Sequence, residues 1–487
     1  MLDLHSLWNN IIMRGSQSGM TELDFLETEI NRFLVSRERQ MMIAGAAYYK
    51  GSQDIQNKER EIIGANGSVQ SVHNLPNARI VDNQYAKLVD QKANYLLSKA
   101  IDVDTGTQDV YADELKKLFD AGFCRQLKNV GKDALKGGVG WLMPWIDETG
   151  ALRFRRFPSY QILPFWSDDE HTILDAAARV YTVTVYEGRT PTLVTKVEYY
   201  TKDGIKNYVL KNGKLLPDNE MTDSAYVEID GAPMNWERIP LVAFKANADE
   251  IPLIARVKCL QDALNRLESS FEDCMTEDVR NSVLVLYNYD GENLADFRRN
   301  LATYGAVKIR RDDYAKGGVE VLHIEVNAEN YKTILGLLKR AIIENGRGFD
   351  AKDERLAGNP NQMNIMSAYA DIDLDADEME SEFSASMHEL LWFVNAYLHI
   401  AKNVEPKDVN FIFNRDMMVN TSEQIANAKN SVGILSDETI VANHPWTKAV
   451  KDEMARIKKE REENMAQFDP YGKEPADAAG KDEGQDE

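Results

Sequence analysis

From Leu253 to Asp290 neither glycine nor proline interrupts the chain, and Val257, Leu260, Leu264, Leu267, Phe271 and Cys274 recur at steps of three and four. This is a heptad-like seam about two and a half heptads long. A helix of about 25 residues at 1.5 Å per residue measures about 40 Å, and such a seam calls for a neighbouring helix. One follows over 328–345, with Tyr331, Ile334, Leu335, Leu338 and Ile342 on one face and Gly346 and Gly348 as terminators. Between the two helices, 282–289, 305–309 and 319–326 read as strands and 293–303 as a short helix. Two long helices therefore bracket a small α/β insert.

Upstream, Thr21 and Asp24 form the ends of a capping box. Tyr85, Leu88, Val89, Ala93 and Leu96 give 83–100 one apolar helical face. The stretch 64–76, with Asn66-Gly67 and Pro76, reads as a loop. From Trp141 to Ala246 the apolar period becomes two, as in Tyr181, Val183, Val185 and again Leu193, Val197 and Tyr199. Asp203-Gly204 and Asn212-Gly213 are hairpin signals, so this part is an antiparallel meander and the chain is α+β.

Downstream, 350–364 (DAKDERLAGNPNQMN) has no apolar period and reads as a long loop of the kind that is often functional. A long helix over 365–402 carries Met379, Phe383, Met387, Leu390, Val394 and Tyr397 as its stripe. A short strand at 409–413 and helical pieces to 468 follow, with Ser436 as a cap and His444-Pro445 as a break. The acidic stretch 469–487 reads as disordered.

The charge narrows the function. Lys and Arg number 57 against 79 Asp and Glu, a net −22. Coating duplex DNA or a polybasic membrane role would need clustered cations. Cys124, Cys259 and Cys274 are too scattered for a disulfide framework or a zinc site. No apolar run is long enough for a membrane span.

Enzyme templates fail at particular residues. Asp371, Asp373, Asp375, Asp377 and Glu382 occupy positions 1, 3, 5, 7 and 12 of a calcium-binding loop, but Ala376 stands where glycine must turn the chain. A solvated acidic helix start accounts for the run, since carboxylates favour a helix N-terminus. Gly131-Lys132 lacks the rest of a phosphate-binding loop, and Trp392 stands where a zinc-binding HExxH motif needs its second histidine. Arg153, Arg155 and Arg156 read as a solvated strand face, whereas Arg298-Arg299 and Arg310-Arg311 put two local basic pairs in the small insert, read as a docking surface on an acidic protein.

The order of elements, together with 83–99, 140–166 (ending FPSYQILPFW) and 358–393, resembles the portal, or head–tail connector, proteins of long-tailed double-stranded DNA bacteriophages. The resemblance covers about 20–468 and rests on the ordered set, with no single diagnostic motif. It implies a portal-like α+β fold: a helical arm (1–82), an α/β wing (83–250), a two-helix stem (251–281 and 327–349), a clip (282–326), a tunnel loop (350–364), a long kinked helix (365–403), a helical crown (404–468) and an acidic tail (469–487).

It further implies a ring, usually of twelve subunits, at one capsid vertex of the virion, assembled in the host cytoplasm. Double-stranded DNA enters and leaves through the ring, driven in by a separate terminase. Head-completion or tail adaptor proteins dock at the clip, and capsid or scaffolding protein surrounds the ring. No catalytic residue, metal, cofactor or membrane is implied. Lys352, Arg355, Asn359, Asn361, Gln362 and Asn364 are then the candidate DNA contacts. Twelve copies at −22 each carry −264 around the DNA path, which suits letting DNA slide and not holding it. Two alternatives stay open: a metal-dependent nuclease or calcium-binding protein using Asp371, Asp373 and Asp375, and an unrelated acidic helical scaffold.

Overall fold

The computed structural model describes residues 20–63, 67–73, 75–107, 109–229, 232–280, 283–287, 318–322, 328–352, 361–415, 420–447 and 450–467. By internal contacts the chain divides into two units, Met1–Asp350 with Tyr369–Asp416, and Ala351–Ala368 with Met417–Glu487.

In the first unit, helix α1 (Glu22–Val35) opens on the expected Thr21–Asp24 capping box, and Ser36 caps α2 (Arg37–Tyr49). The stretch 64–76 read as a loop contains a short strand, β2 (Val69–Ser71), which pairs with β1 (Glu61–Ile63) just before it. Helix α3 (Gln84–Leu97) buries Tyr85, Leu88, Val89, Ala93 and Leu96 as the spacing requires. Then come β3 (Asp102–Asp104), α4 (Val110–Leu118) and α5 (Ala121–Gly137). Gly138 ends α5 at φ +86, where an added Cβ would lie 1.9 Å from the Glu250 carbonyl oxygen.

Among the described residues two antiparallel sheets have more than two strands. β4 (Val139–Ile146) lies between β5 (Leu152–Phe157) and β13 (Val242–Lys245). The larger sheet runs β6 (Ile162–Trp166), β7 (Leu174–Glu187), β8 (Thr190–Thr201), β9 (Gly204–Lys211) and β10 (Lys214–Pro217), each beside its chain neighbour. Asn212 and Gly213 make the β9–β10 turn, both at positive φ, with Lys211 opposite Lys214. The other expected turn sits one residue earlier: Thr201 pairs with Gly204, so Lys202 and Asp203 form the loop and Gly204 begins β9 at φ +123. A short hairpin, β11 (Val227–Ile229) with β12 (Ala232–Met234), precedes β13. Leu26 and Ile30 of α1 pack on the larger sheet with Val180, Val197, Tyr199 and Leu215.

The glycine-free run forms α6 (Leu253–Arg280), 28 residues long. It packs on α7 (Ala328–Asn345), with the Phe271 and Tyr331 rings 4.7 Å apart and Lys339 bridging to Glu268. Between these helices, β14 (Val283–Tyr287) pairs with β15 (Gly318–Leu322). Residues 288–317, with Arg298, Arg299, Arg310 and Arg311, lie outside the described residues. Helix α8 (Gln362–Lys402) is one continuous helix of 41 residues, beginning three residues before the expected start. Its stripe from Met379 to Tyr397 is buried, and extends N-terminally through Tyr369, Ile372 and Ala376. Strand β16 (Asn410–Ile412) pairs with β3. The core of this unit joins that stripe to α3, α5, α6 and the β4 sheet.

The second unit holds α9 (Thr421–Asn430), α10 (Asp437–Ala442) and α11 (Val450–Gln467). Asn420 and Ser436 cap the first two, and neither of those helices buries a residue. Among the described residues no helix is long and apolar enough to cross a membrane.

Candidate nucleic-acid interface

The segment expected to meet DNA begins at a turn whose geometry is set by its neighbours. Gly346 and Gly348 press on α3: a Cβ on either would come within 2.5 or 2.2 Å of the Leu88 side chain. Arg347 between them is left-handed at φ +47. Its carbonyl accepts a hydrogen bond from the Lys92 ammonium at 2.9 Å, and its guanidinium donates to Asp375 at 2.7 Å. Phe349 then stacks on Tyr369, ring centroids 4.3 Å apart, so an aromatic pair joins the chain before and after 350–368.

Of the six candidate contacts, Lys352 is exposed just after this turn, and Arg355 and Asn359 lie outside the described residues. The loop ends sooner than the sequence implied. Asn361 serves as the N-terminal cap of α8, its Oδ1 accepting from the Asn364 amide at 2.8 Å. Gln362 and Asn364 belong to the first helical turn. The Gln362 amide donates to Glu423 and its Oε1 accepts from the Asn420 amide, which ties it to the start of α9. Asn364 is exposed.

The acidic run is not a solvated helix start. It lies in the body of α8, and its carboxylates have separate partners. Asp375 meets Lys92 of α3 at 2.6 Å, Arg256 of α6 at 3.1 Å and Arg347 at 2.7 Å. Burial alone would raise the Asp375 pKa, but the Lys92 charge and the two arginines hold it below the ordinary carboxylate value. Burial lowers the Lys92 pKa, opposed by Asp375. Asp373 accepts from the Tyr95 hydroxyl, and Arg415 reaches Asp373, Asp377 and Glu380 together. Asp371 is exposed. Asp373 and Asp375 are thus engaged by donors from different elements and do not converge on a shared point. Among the described residues no group of three or more His, Cys, Asp or Glu could hold a metal ion.

One arrangement was not read from the sequence. On α6, Gln261, Asn265, Ser269 and Asp273 form a fully buried polar stripe at intervals of four. They accept, in turn, from the backbone amides of Tyr85 (3.1 Å), Asp82 (3.1 Å), Ile80 (3.0 Å) and Ala78 (2.6 Å). Four helical residues advance about 6.0 Å, and two extended residues about 6.6 Å. The side chains of a helix therefore act as the missing strand for residues 78–82. Asp273 is balanced by Lys58 at 2.5 Å and Arg60 at 3.6 Å. The only sequence signal was the period of four in polar residues opposite the seam.

Residues 35–467 match the model of the phage portal protein family, SPP1 Gp6-like. The chain belongs to that family. The portal protein of Bacillus phage SPP1 is 26% identical over 468 residues, 94% of this chain and 90% of that one. The portal protein of Clostridium phage phiCD119 is 25% identical over 441 residues, 88% of this chain and 94% of its relative. A chain in a solved neck of an empty GTA particle, computed with C6 symmetry, is similar at a TM-score of 0.42 and 12% identity, covering 73% of this chain and 88% of that one. As a portal-family member the chain is a structural component of a bacteriophage.

Proposed function

We propose that this portal subunit assembles into a ring, of twelve copies as the family resemblance implies, at one vertex of the virion capsid. The ring is the passage for genome packaging and ejection and acts without enzymatic activity of its own. The family match over 35–467 carries this reading. In it, 83–250 form the wing, α6 and α7 the stem, 282–326 the clip, 350–364 the tunnel loop and 404–468 the crown. Terminase, head-completion or tail adaptor proteins and capsid or scaffolding protein are the partners, and assembly takes place in the host cytoplasm. Arg298, Arg299, Arg310 and Arg311 serve docking at the clip.

Lys352, Arg355, Asn359 and Asn364 remain the DNA contacts proposed for the loop. Asn361 and Gln362 have their side chains committed to holding its C-terminal end, and their part in contacting DNA is correspondingly reduced. The commitment of Asp373 and Asp375 to cationic and hydroxyl partners argues against a nuclease or calcium site. Electron micrographs of purified particles viewed down the axis, with native mass spectrometry, test the ring, and a monomer under all salt conditions refutes it. Deleting 358–362 is expected to leave assembly intact and impair packaging. Normal packaging by that deletion would sink the loop assignment.

A further inference from the structure

The acidic run on α8 is left unexplained by the passage of DNA, and its neighbours give it a purpose. No Lys or Arg occurs from Leu356 to Ala401, so the acidic run has no cation beside it on its own helix and takes its partners from other segments. The cations come from particular places. The chain leaves the first unit after Asp350, returns at Tyr369 inside α8 and leaves again after Asp416. Arg347 stands three residues before the first exit and Arg415 one residue before the second. Both reach the acidic face of α8, Arg347 through Asp375, Arg415 through Asp373, Asp377 and Glu380. Each exit is secured again through its backbone: Lys92 donates to the Arg347 carbonyl and Lys99 to the Arg415 carbonyl.

We propose that Asp373, Asp375, Asp377 and Glu380 are positioning residues that clasp the root of the tunnel loop and the root of the crown to one helix. The two exits are thereby held in a common frame with α3 and α6, through Lys92 and Arg256. Arg347 stores backbone strain at its left-handed φ, and the clasp keeps it there. Movement of the stem would reach the loop and the crown through these ion pairs. This functional consequence rests on the portal reading, whereas the clasp itself is tested on the purified chain.

The test is amide hydrogen exchange of the full-length protein, comparing wild type with Arg347→Gly, Asp377→Asn and Asp375→Asn, at low and high salt. Arg347→Gly is the most informative. Glycine relaxes the left-handed backbone, so if Arg347 only shapes the turn, exchange over 346–352 slows or stays unchanged. The clasp predicts the opposite, about a tenfold acceleration confined to 346–352 and 361–369. It also predicts that high salt accelerates the same peptides in wild type and has little further effect in Arg347→Gly. Asp377→Asn, at an exposed carboxylate, is expected to accelerate exchange over 410–415 and spare the rest. Asp375→Asn leaves three cations around a neutral group and is expected to accelerate exchange at the Arg347 root, 346–352. Should that variant fail to fold, the other two still decide. Unchanged exchange in Arg347→Gly and Asp377→Asn, or acceleration spread evenly over the chain, overturns the proposal. Native mass spectrometry of the same samples reports ring formation, so failure of the portal reading is seen separately.

Discussion

Asn265 is the most instructive single residue of the buried polar stripe. Its side chain is fully buried. Oδ1 accepts from the Asp82 amide at 3.1 Å and from Gln261 Nε2 at 3.0 Å, and Nδ2 donates to Gln53 Oε1. Asn265→Ala removes all three bonds and strands the part-buried Asp82 N–H and the side-chain carbonyl of the buried Gln53. A stranded buried group costs about 1–3 kcal/mol. With Gln261 still bonded to the Asp82 carbonyl at 2.6 Å, the total is about 3–5 kcal/mol. Ser269→Ala, which loses only the bond from the Ile80 amide, serves as the control and is expected to cost about 1–2 kcal/mol. Hydrogen exchange reads the difference where it arises. If 78–85 detach locally, their amides exchange about a hundred- to several-thousandfold faster in Asn265→Ala and about tenfold faster in Ser269→Ala. Equal effects of the two variants, or protection of 78–85 left intact by Asn265→Ala, would refute the reading of the stripe as a substitute strand.

Three further expectations follow from the same physics. Burial pushes the Glu389 carboxyl up to about 7 from 4.5, opposed by Arg238. The folded-state pKa is raised, so this group's contribution is fully present below about pH 4.5 and lost as pH rises through about 7. Glu389→Gln should flatten the pH dependence of the unfolding free energy, read from urea titrations across that window, by up to about 3 kcal/mol, and parallel curves for the two proteins contradict it. Gly138→Ala forces a Cβ to 1.9 Å from a backbone oxygen at φ +86, whereas Gly213→Ala at φ +76 meets nothing nearer than 3.5 Å. The first should cost several times the roughly 1 kcal/mol of the second, measured as shifts in thermal midpoint. Finally, α9 and α10 bury no residue within one chain while Ile434 and Trp446 stand 81% and 73% exposed. Protection of 421–446 in exchange experiments should therefore appear with ring formation and vanish on dilution to monomers.

What the sequence disclosed and what it concealed follow from the range of the interactions. The capping box at Thr21, the bounds of α7, the Asn212-Gly213 turn and the buried stripe of α8 are local patterns, since each is set by residues within a few turns of one another. The polar stripe of α6 was invisible for the opposite reason. Gln261, Asn265, Ser269 and Asp273 at intervals of four look like a solvent face, and the amides that bury them lie 176 to 195 residues away. The start of α8 was misplaced because Asn361, next to proline, was read as loop when it was a cap.

The acidic run shows how the two kinds of information combine. Its lack of any internal cation from 356 to 401 is plain in the sequence. Carboxylates in the body of a helix, unlike those in its first turn, gain nothing from the helix dipole. Partly buried, they require cations from other segments. The need for such partners was thus readable. Their identity was not, because Lys92, Arg256, Arg347 and Arg415 come from four separate stretches that only the fold brings to one face. A charge pattern that invited a metal-site reading is better understood as the point where one helix gathers α3, α6 and the segments that end at Arg347 and Arg415.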